Sequence, residues 1–112
     1  MPIKSMHEPT FMILTALASG PQHGYGIVND VSGISGGRVK LRAGTLYAAL
    51  DRLRADGLVE LDREEIVDSR LRRYYRLTAA GSERLAEEAA RLQGNARVAM
   101  MRLQSNSGMA GA

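Results

Sequence analysis

Apolar residues recur along this chain at two spacings, and the switches between them mark out the expected elements. Phe11, Met12, Ile13, Leu14, Leu17 and Ala18 are apolar on nearly every side of a first helix. Pro9 suits its first turn and Gly20-Pro21 ends it. So apolar a helix is expected to be buried against more than one neighbour, either wholly within its own core or with a second subunit at Phe11. A second helix is expected from about His23 to Ser32, with Ile27, Val28 and Val31 inward and Tyr25 packed at its start. Gly24 and Gly26 each cost ~1 kcal/mol in helix propensity, which points to close approach of another backbone or to a later helix start.

Beyond the glycine-rich loop 33–37, residues 38–42 alternate basic and apolar with the period of a strand. Val39 and Leu41 turn inward, leaving Arg38, Lys40 and Arg42 on the outer side. Helical spacing returns in residues 43–57, where Leu46, Ala49, Leu50 and Leu53 share one face and Gly57 supplies the stop. The opposite face offers Thr45, Ala48 and Arg52. Residues 58–63 and 71–77 read as two strands, joined by a hairpin loop over 64–70 in which Asp68-Ser69 is a turn signal. In the second strand, Tyr75 and Leu77 point inward.

Thr78 is an N-cap candidate for a last helix running from about Ala79 to near Leu103. Leu85, Ala89, Leu92, Ala96, Ala99 and Leu103 are spaced alternately four and three apart, an unbroken heptad seam. Glu83, Arg84, Glu87, Glu88 and Arg91 flank it, free for solvent or salt bridges. A helix of about twenty-five residues extends ~37 Å, longer than so small a domain covers, which favours a partner chain on the seam.

Composition narrows the function classes. The chain has 112 residues, enough for one domain with a single core, and no cysteine, which excludes a disulfide framework and thiolate metal sites. A cytoplasmic location fits that usage. The net charge of +3 is modest, but Arg70, Arg72, Arg73 and Arg76 fall within seven residues that hold no acid. Residues 11–18 are too short for an export signal, and no stretch is long and apolar enough to span a membrane. His7 and His23 form no ligand set, and no nucleophile, base and orienting group combine, so neither a metal, a cofactor nor an enzyme is expected.

Helix, helix, basic segment, helix and basic hairpin follow one another in the order of a winged helix-turn-helix: a mainly α fold with a small β-hairpin, extended by a long C-terminal dimerisation helix. The expected organisation is a flexible arm (1–8), a DNA-binding domain (9–77), the dimerisation helix (78–104) and a disordered tail (105–112). The third helix would enter a major groove of double-stranded DNA, with Thr45, Tyr47, Ala48 and Arg52 facing it. Lys40, Arg42, Arg70, Arg72 and Arg73 would hold the phosphates. Phe11, Leu85, Ala89, Leu92, Ala96, Ala99 and Leu103 would form the homodimer interface.

Three blocks of sequence carry a family resemblance. They are Gly20-Pro21 with His23-Gly24-Tyr25; Gly44-Thr45-Leu46-Tyr47, Leu50, Arg52-Leu53 and Gly57-Leu58-Val59; and Arg73-Tyr74-Tyr75-Arg76-Leu77-Thr78 with Gly81. Together the blocks resemble the PadR family of bacterial transcriptional regulators. The resemblance implies a winged helix-turn-helix, a dimer formed through the C-terminal helix, and repression of nearby genes. The chain departs from the family pattern at Ala48, where relatives often carry proline, and at Arg54, where they often carry glutamate. A small-molecule effector between the dimer helices would add to DNA binding. The competing reading is a dimerising protein-interaction module on the same scaffold without DNA binding.

Overall fold

The structure, a computed structural model, describes residues 6–110, with side chains as far as residue 106. Helices α1 (Glu8–Ala18), α2 (Gly24–Ile34) and α3 (Ala43–Ala55) pack around one core, flanked by a three-stranded antiparallel sheet. Strand β1 (Gln22–His23) pairs with β3 (Arg70–Leu77), and β3 pairs with β2 (Val59–Val67), giving the order β1-β3-β2. Helix α4 (Ala79–Ala110) follows. Ile13, Leu14 and Leu17 meet Ile27 and Val31, Leu46, Leu50 and Leu53, and then Val59 and Tyr75 from the sheet. This is the fold class expected from the apolar pattern.

The helices match their sequence signals closely. Pro9 lies in the first turn of α1, as expected, although the helix already includes Glu8. The expected arm is therefore shorter at that end; its residues 1–5 lie outside the described residues. Phe11 and Met12 are only half-buried, so α1 is less enclosed within its own chain than its all-round apolar surface suggested.

Two strand assignments change. Residues 38–42 form no strand; they run as an extended connection that still buries Val39 and Leu41. The strand that does join the hairpin is β1, whose two residues lie opposite Tyr75 and Tyr74. In the hairpin, residues 64–67 and 70 belong to the strands, not to a loop, and only Asp68 and Ser69 connect them. Both connecting residues have positive φ, 51° and 64°, as a two-residue hairpin turn with the strands' own twist requires. The polar run places acids opposite cations: Glu64 lies opposite Arg73, which it meets at 3.3 Å, and Glu65 lies opposite Arg72.

The start of α4 is built into the end of α3. Gly57, at φ 76°, ends α3, and the Leu58 N–H reaches back to the Leu53 carbonyl at 2.9 Å. The Leu58 carbonyl then accepts from Thr78 N–H at 3.1 Å. Thr78 caps α4 as expected: its hydroxyl accepts from Gly81 N–H at 3.0 Å while donating to the Gly57 carbonyl at 2.6 Å. A β-carbon at Gly81 would overlap the Leu58 carbonyl oxygen, so only glycine lets the helix come this close.

Helix α4 packs on α1 through its first half only. Leu85 sits half-buried against the core. Glu88, expected to be free for solvent or salt bridges, takes the second course and is just 1% exposed. It accepts from Arg91 at 3.0 and 2.6 Å and from Met6 N–H at 3.4 Å, with Arg84 at 3.8 Å. The paired Arg91 guanidinium holds its carboxyl down at about 2. Beyond that point the helix leaves the domain and continues to Ala110, past the end expected near residue 104. Residues 105–110 are thus helical, while 111–112 lie outside the described residues. The seam residue Leu103 is 64% exposed, and the molecule reaches 68 Å along its longest axis. Among the described residues, no helix is long and apolar enough to cross a membrane.

Candidate nucleic-acid interface

The core holds α3 by Leu46, Ala49, Leu50 and Leu53. At 100° per residue this places Gly44, Tyr47, Ala48 and Asp51 on the opposite face, with Thr45 and Arg52 on the flank away from the sheet. All six are exposed. Tyr47 leans towards α2, and a β-carbon at Gly24 would stand 2.5 Å from its hydroxyl oxygen. The close approach signalled by Gly24 is therefore made by a side chain rather than by a second backbone.

His23 organises the adjoining corner. Its Nδ1 accepts from Gly26 N–H at 3.1 Å, capping α2, and its ring meets Tyr74 edge-on at 5.4 Å. Burial, reinforced by the nearby Arg72 cation, pushes the imidazole pKa below its usual value. The neutral ring keeps the lone pair that the cap needs. Its reading as a helix-start residue agrees with this geometry.

Between the first turn of α2, Tyr47 and the hairpin lies an open cleft of about 590 Å³. Tyr25, Tyr47, Arg70, Leu71, Arg72 and Arg73 line it. Tyr25 was expected to pack at the helix start, yet it is 74% exposed and its ring stands at the cleft edge. The reason is that α2 begins at Gly24, which turns Tyr25 to the outer side of the first turn. Of the exposed residues here, the sequence reading placed Tyr25 in the packing and assigned Asp51 no role. Asp51 was legible from helical spacing, whereas Tyr25 depended on where α2 begins.

Charge in the hairpin is more balanced than the β3 sequence suggests. Residues 59–77 contain Arg63, Arg70, Arg72, Arg73 and Arg76, but equally Glu60, Asp62, Glu64, Glu65 and Asp68. Arg76 bonds Glu60 at 2.8 Å and Asp62 at 3.4 Å, while Arg73 meets Glu64 at 3.3 Å. Arg63 bonds Asp62 and Glu65 and lies over the Tyr74 ring, 3.9 Å from its centre. Among the described residues, Arg70 and Arg72 enter no ion pair, and neither do Lys40, Arg42 or Arg52.

The nine residues assigned to DNA therefore divide by place. Tyr47, Arg70, Arg72 and Arg73 share the cleft. Arg42 is the residue before α3, and Lys40 lies exposed just ahead of it. Thr45 and Ala48 are exposed on α3, whereas Arg52 borders a different cleft with His7, Thr10, Asp56 and Arg84. Of the interface residues, Phe11 and Leu92 line a cavity of about 260 Å³ between α1 and α4, together with Met12, Glu88 and Arg91. Ala89, Ala96, Ala99 and Leu103 are exposed along α4.

Comparison with known proteins places this geometry. Residues 13–87, well over half of the chain, match the transcriptional regulator PadR-like family. A transcriptional regulator of Mycobacterium tuberculosis is 41% identical over 85 residues, which cover 76% of each protein. A 37.1 kDa protein of unassigned function from a Streptomyces fradiae transposon is 41% identical over 91 residues. Those residues cover 79% of this chain but only 25% of that protein. The fold also matches Bacillus subtilis PadR, solved in complex with operator DNA, with a TM-score of 0.62 and 24% identity over 70% of this chain and 44% of that one. On the family match over residues 13–87, the chain belongs to the PadR-like family of transcriptional regulators.

Proposed function

We propose that the protein acts as a homodimeric repressor on an inverted-repeat operator, with α3 of each subunit in a major groove and each hairpin beside it. The observation that carries this reading is the shared cleft, where Tyr25, Tyr47 and three arginines converge next to the exposed face of α3. Tyrosine hydroxyls and guanidinium groups suit phosphate oxygens, while Thr45 and Ala48 suit base edges. The exposed apolar seam of α4 supports pairing of two chains, which would set half-sites about one helical turn, ~34 Å, apart. Lys40 and Arg42 would add sequence-independent attraction ahead of α3.

An effector is part of the proposal. The cavity between α1 and α4 is floored by Phe11, Met12 and Leu92 and adjoins the seam, so an apolar small molecule there would bias how two chains pack. Selection of the purified protein on random duplex DNA, read by sequencing, tests the central claim. An inverted repeat recovered by a species of twice the chain mass is the expected result. Recovery of no sequence at low salt by a folded dimer would favour the protein-interaction module instead.

A further inference from the structure

We propose that Arg63, on the outer face of the sheet, is a positioning residue for DNA binding: through Tyr74 and His23 it holds the hairpin against the first turn of α2. The three side chains form one row across all three strands. His23 of β1 lies opposite Tyr74 of β3, and Arg63 of β2 lies opposite the same tyrosine from the other side. Directly opposite residues of antiparallel strands share a face. Tyr75, the next residue of β3, is buried in the core, so the row lies on the side turned away from it. The contacts follow the register: the Arg63 guanidinium stands 3.9 Å from the centre of the Tyr74 ring, and the His23 ring meets Tyr74 edge-on at 5.4 Å.

The row depends on an irregularity in β2. Its register shifts between Leu61 and Arg63, which makes Asp62 the extra residue of a bulge. In an unbroken ladder Asp62 would stand opposite Tyr74 and bring a carboxylate to the negative face of the ring. The bulge brings a cation there instead, and Asp62 at 2.8 Å and Glu65 at 2.7 Å steady it. A brace matters here because β1 contributes only two residues to the sheet. His23 also caps α2, and Gly24 and Tyr25 follow it directly. Seating Tyr74 on His23 therefore sets the distance between Tyr25 on α2 and Arg72 on β3, which face each other across the cleft. The described residues that line the cleft do not include Arg63, so its effect on DNA passes through its neighbours. The inference rests on the proposed contact of that cleft with DNA, and not on dimerisation or repression.

The test separates positioning from direct contact. The full chain and its Arg63→Lys, Arg63→Ala, Tyr74→Leu and Arg63→Ala/Tyr74→Leu variants are titrated at several salt concentrations with a duplex of about 30 base pairs carrying the repeat recovered by selection. Arg63→Ala should bind about three- to five-fold more weakly with an unchanged slope of log affinity against log salt, while Arg63→Lys, which keeps a cation over the ring, stays within about two-fold of the parent. The double variant should lose no more than Tyr74→Leu alone, because Arg63 acts through that ring. In the free protein, the His23 pKa followed by nuclear magnetic resonance should rise towards the ordinary imidazole value in Arg63→Ala, as a loosened row admits water, and stay depressed in Arg63→Lys. Circular dichroism reports the folded fraction, and the two Arg63 variants decide the outcome by themselves should Tyr74→Leu unfold. Parental affinity in Arg63→Ala would overturn the proposal. So would a loss with a slope flatter by about one contact, because Arg63 would then meet a phosphate itself. A parent that binds no duplex at any salt removes the DNA reading and the proposal with it, an outcome distinct from a binding parent whose Arg63 variants are unchanged.

Discussion

The two ends of the β-hairpin are held by different physics. At its base, Val59 and Tyr75 are buried, and the backbone of residues 57–58 is gripped between the end of α3 and the first turn of α4. There the constraint is steric, and a single added carbon at Gly81 has nowhere to go. Towards the tip the strands are polar, joined by exposed acid–arginine pairs and a turn whose two residues both lack the freedom of glycine. Exposed pairs of this kind contribute little to stability. The base fixes where the hairpin stands, and the tip is free to be shaped by what it binds.

The largest expected effect tests the base. Gly81→Ala should destabilise the fold by about 2–4 kcal/mol, although alanine is the better helix former, because its methyl group overlaps a backbone carbonyl that cannot retreat. Chemical denaturation followed by circular dichroism measures it, and a midpoint equal to the parent's would remove the distinction drawn above. Next comes the tip. Glu64→Gln frees Arg73, so binding to any duplex should tighten about three- to ten-fold and the salt slope should steepen by about one phosphate contact. Its melting temperature should barely move. Weaker binding by this variant would mean that Glu64 orients Arg73 instead of competing for it.

The smallest effect lies between the two ends, where His23 caps α2 beside Tyr74. Its pKa is depressed in the folded chain, so the unfolded chain takes up the proton first as pH falls. Its contribution is complete above the ordinary imidazole value near 6.5 and declines as pH drops through the window down to the folded value. His23→Ser keeps a capping oxygen, and stability measured from pH 7.5 to 5.5 should show a shallower slope than the parent's. An unchanged slope would place the titrating group elsewhere.

Much of the base was legible in the sequence. Leu46, Leu50 and Leu53 fall at helical spacing, Gly57 announces a stop and Thr78 a start, and each of these local signals agrees with the packing that follows. The tip was far less legible. Reading β3 alone, Arg70, Arg72, Arg73 and Arg76 form a cationic run, but the acids that offset it are supplied by β2, from across the hairpin. The same separation hid β1, since a two-residue strand has no periodicity and exists only because Tyr74 and Tyr75 provide its partner. Tyr47 against Gly24 is similar: glycine marked a close contact, and nothing local named the visitor. The seam of α4 was legible because all of it lies on one helix.

The Thr78 and Gly81 junction also sets a scale of measurement. Helix α4 runs for 32 residues from that junction, a length of ~48 Å. A tilt of only about 5° at its root displaces its far end by ~4 Å, more than the ~3.4 Å rise of one base pair. In the proposed dimer, two such arms fix the distance between recognition helices. The glycine and the threonine at the root then act as the protein's ruler, and residues that never touch DNA decide how many base pairs separate the half-sites it can read.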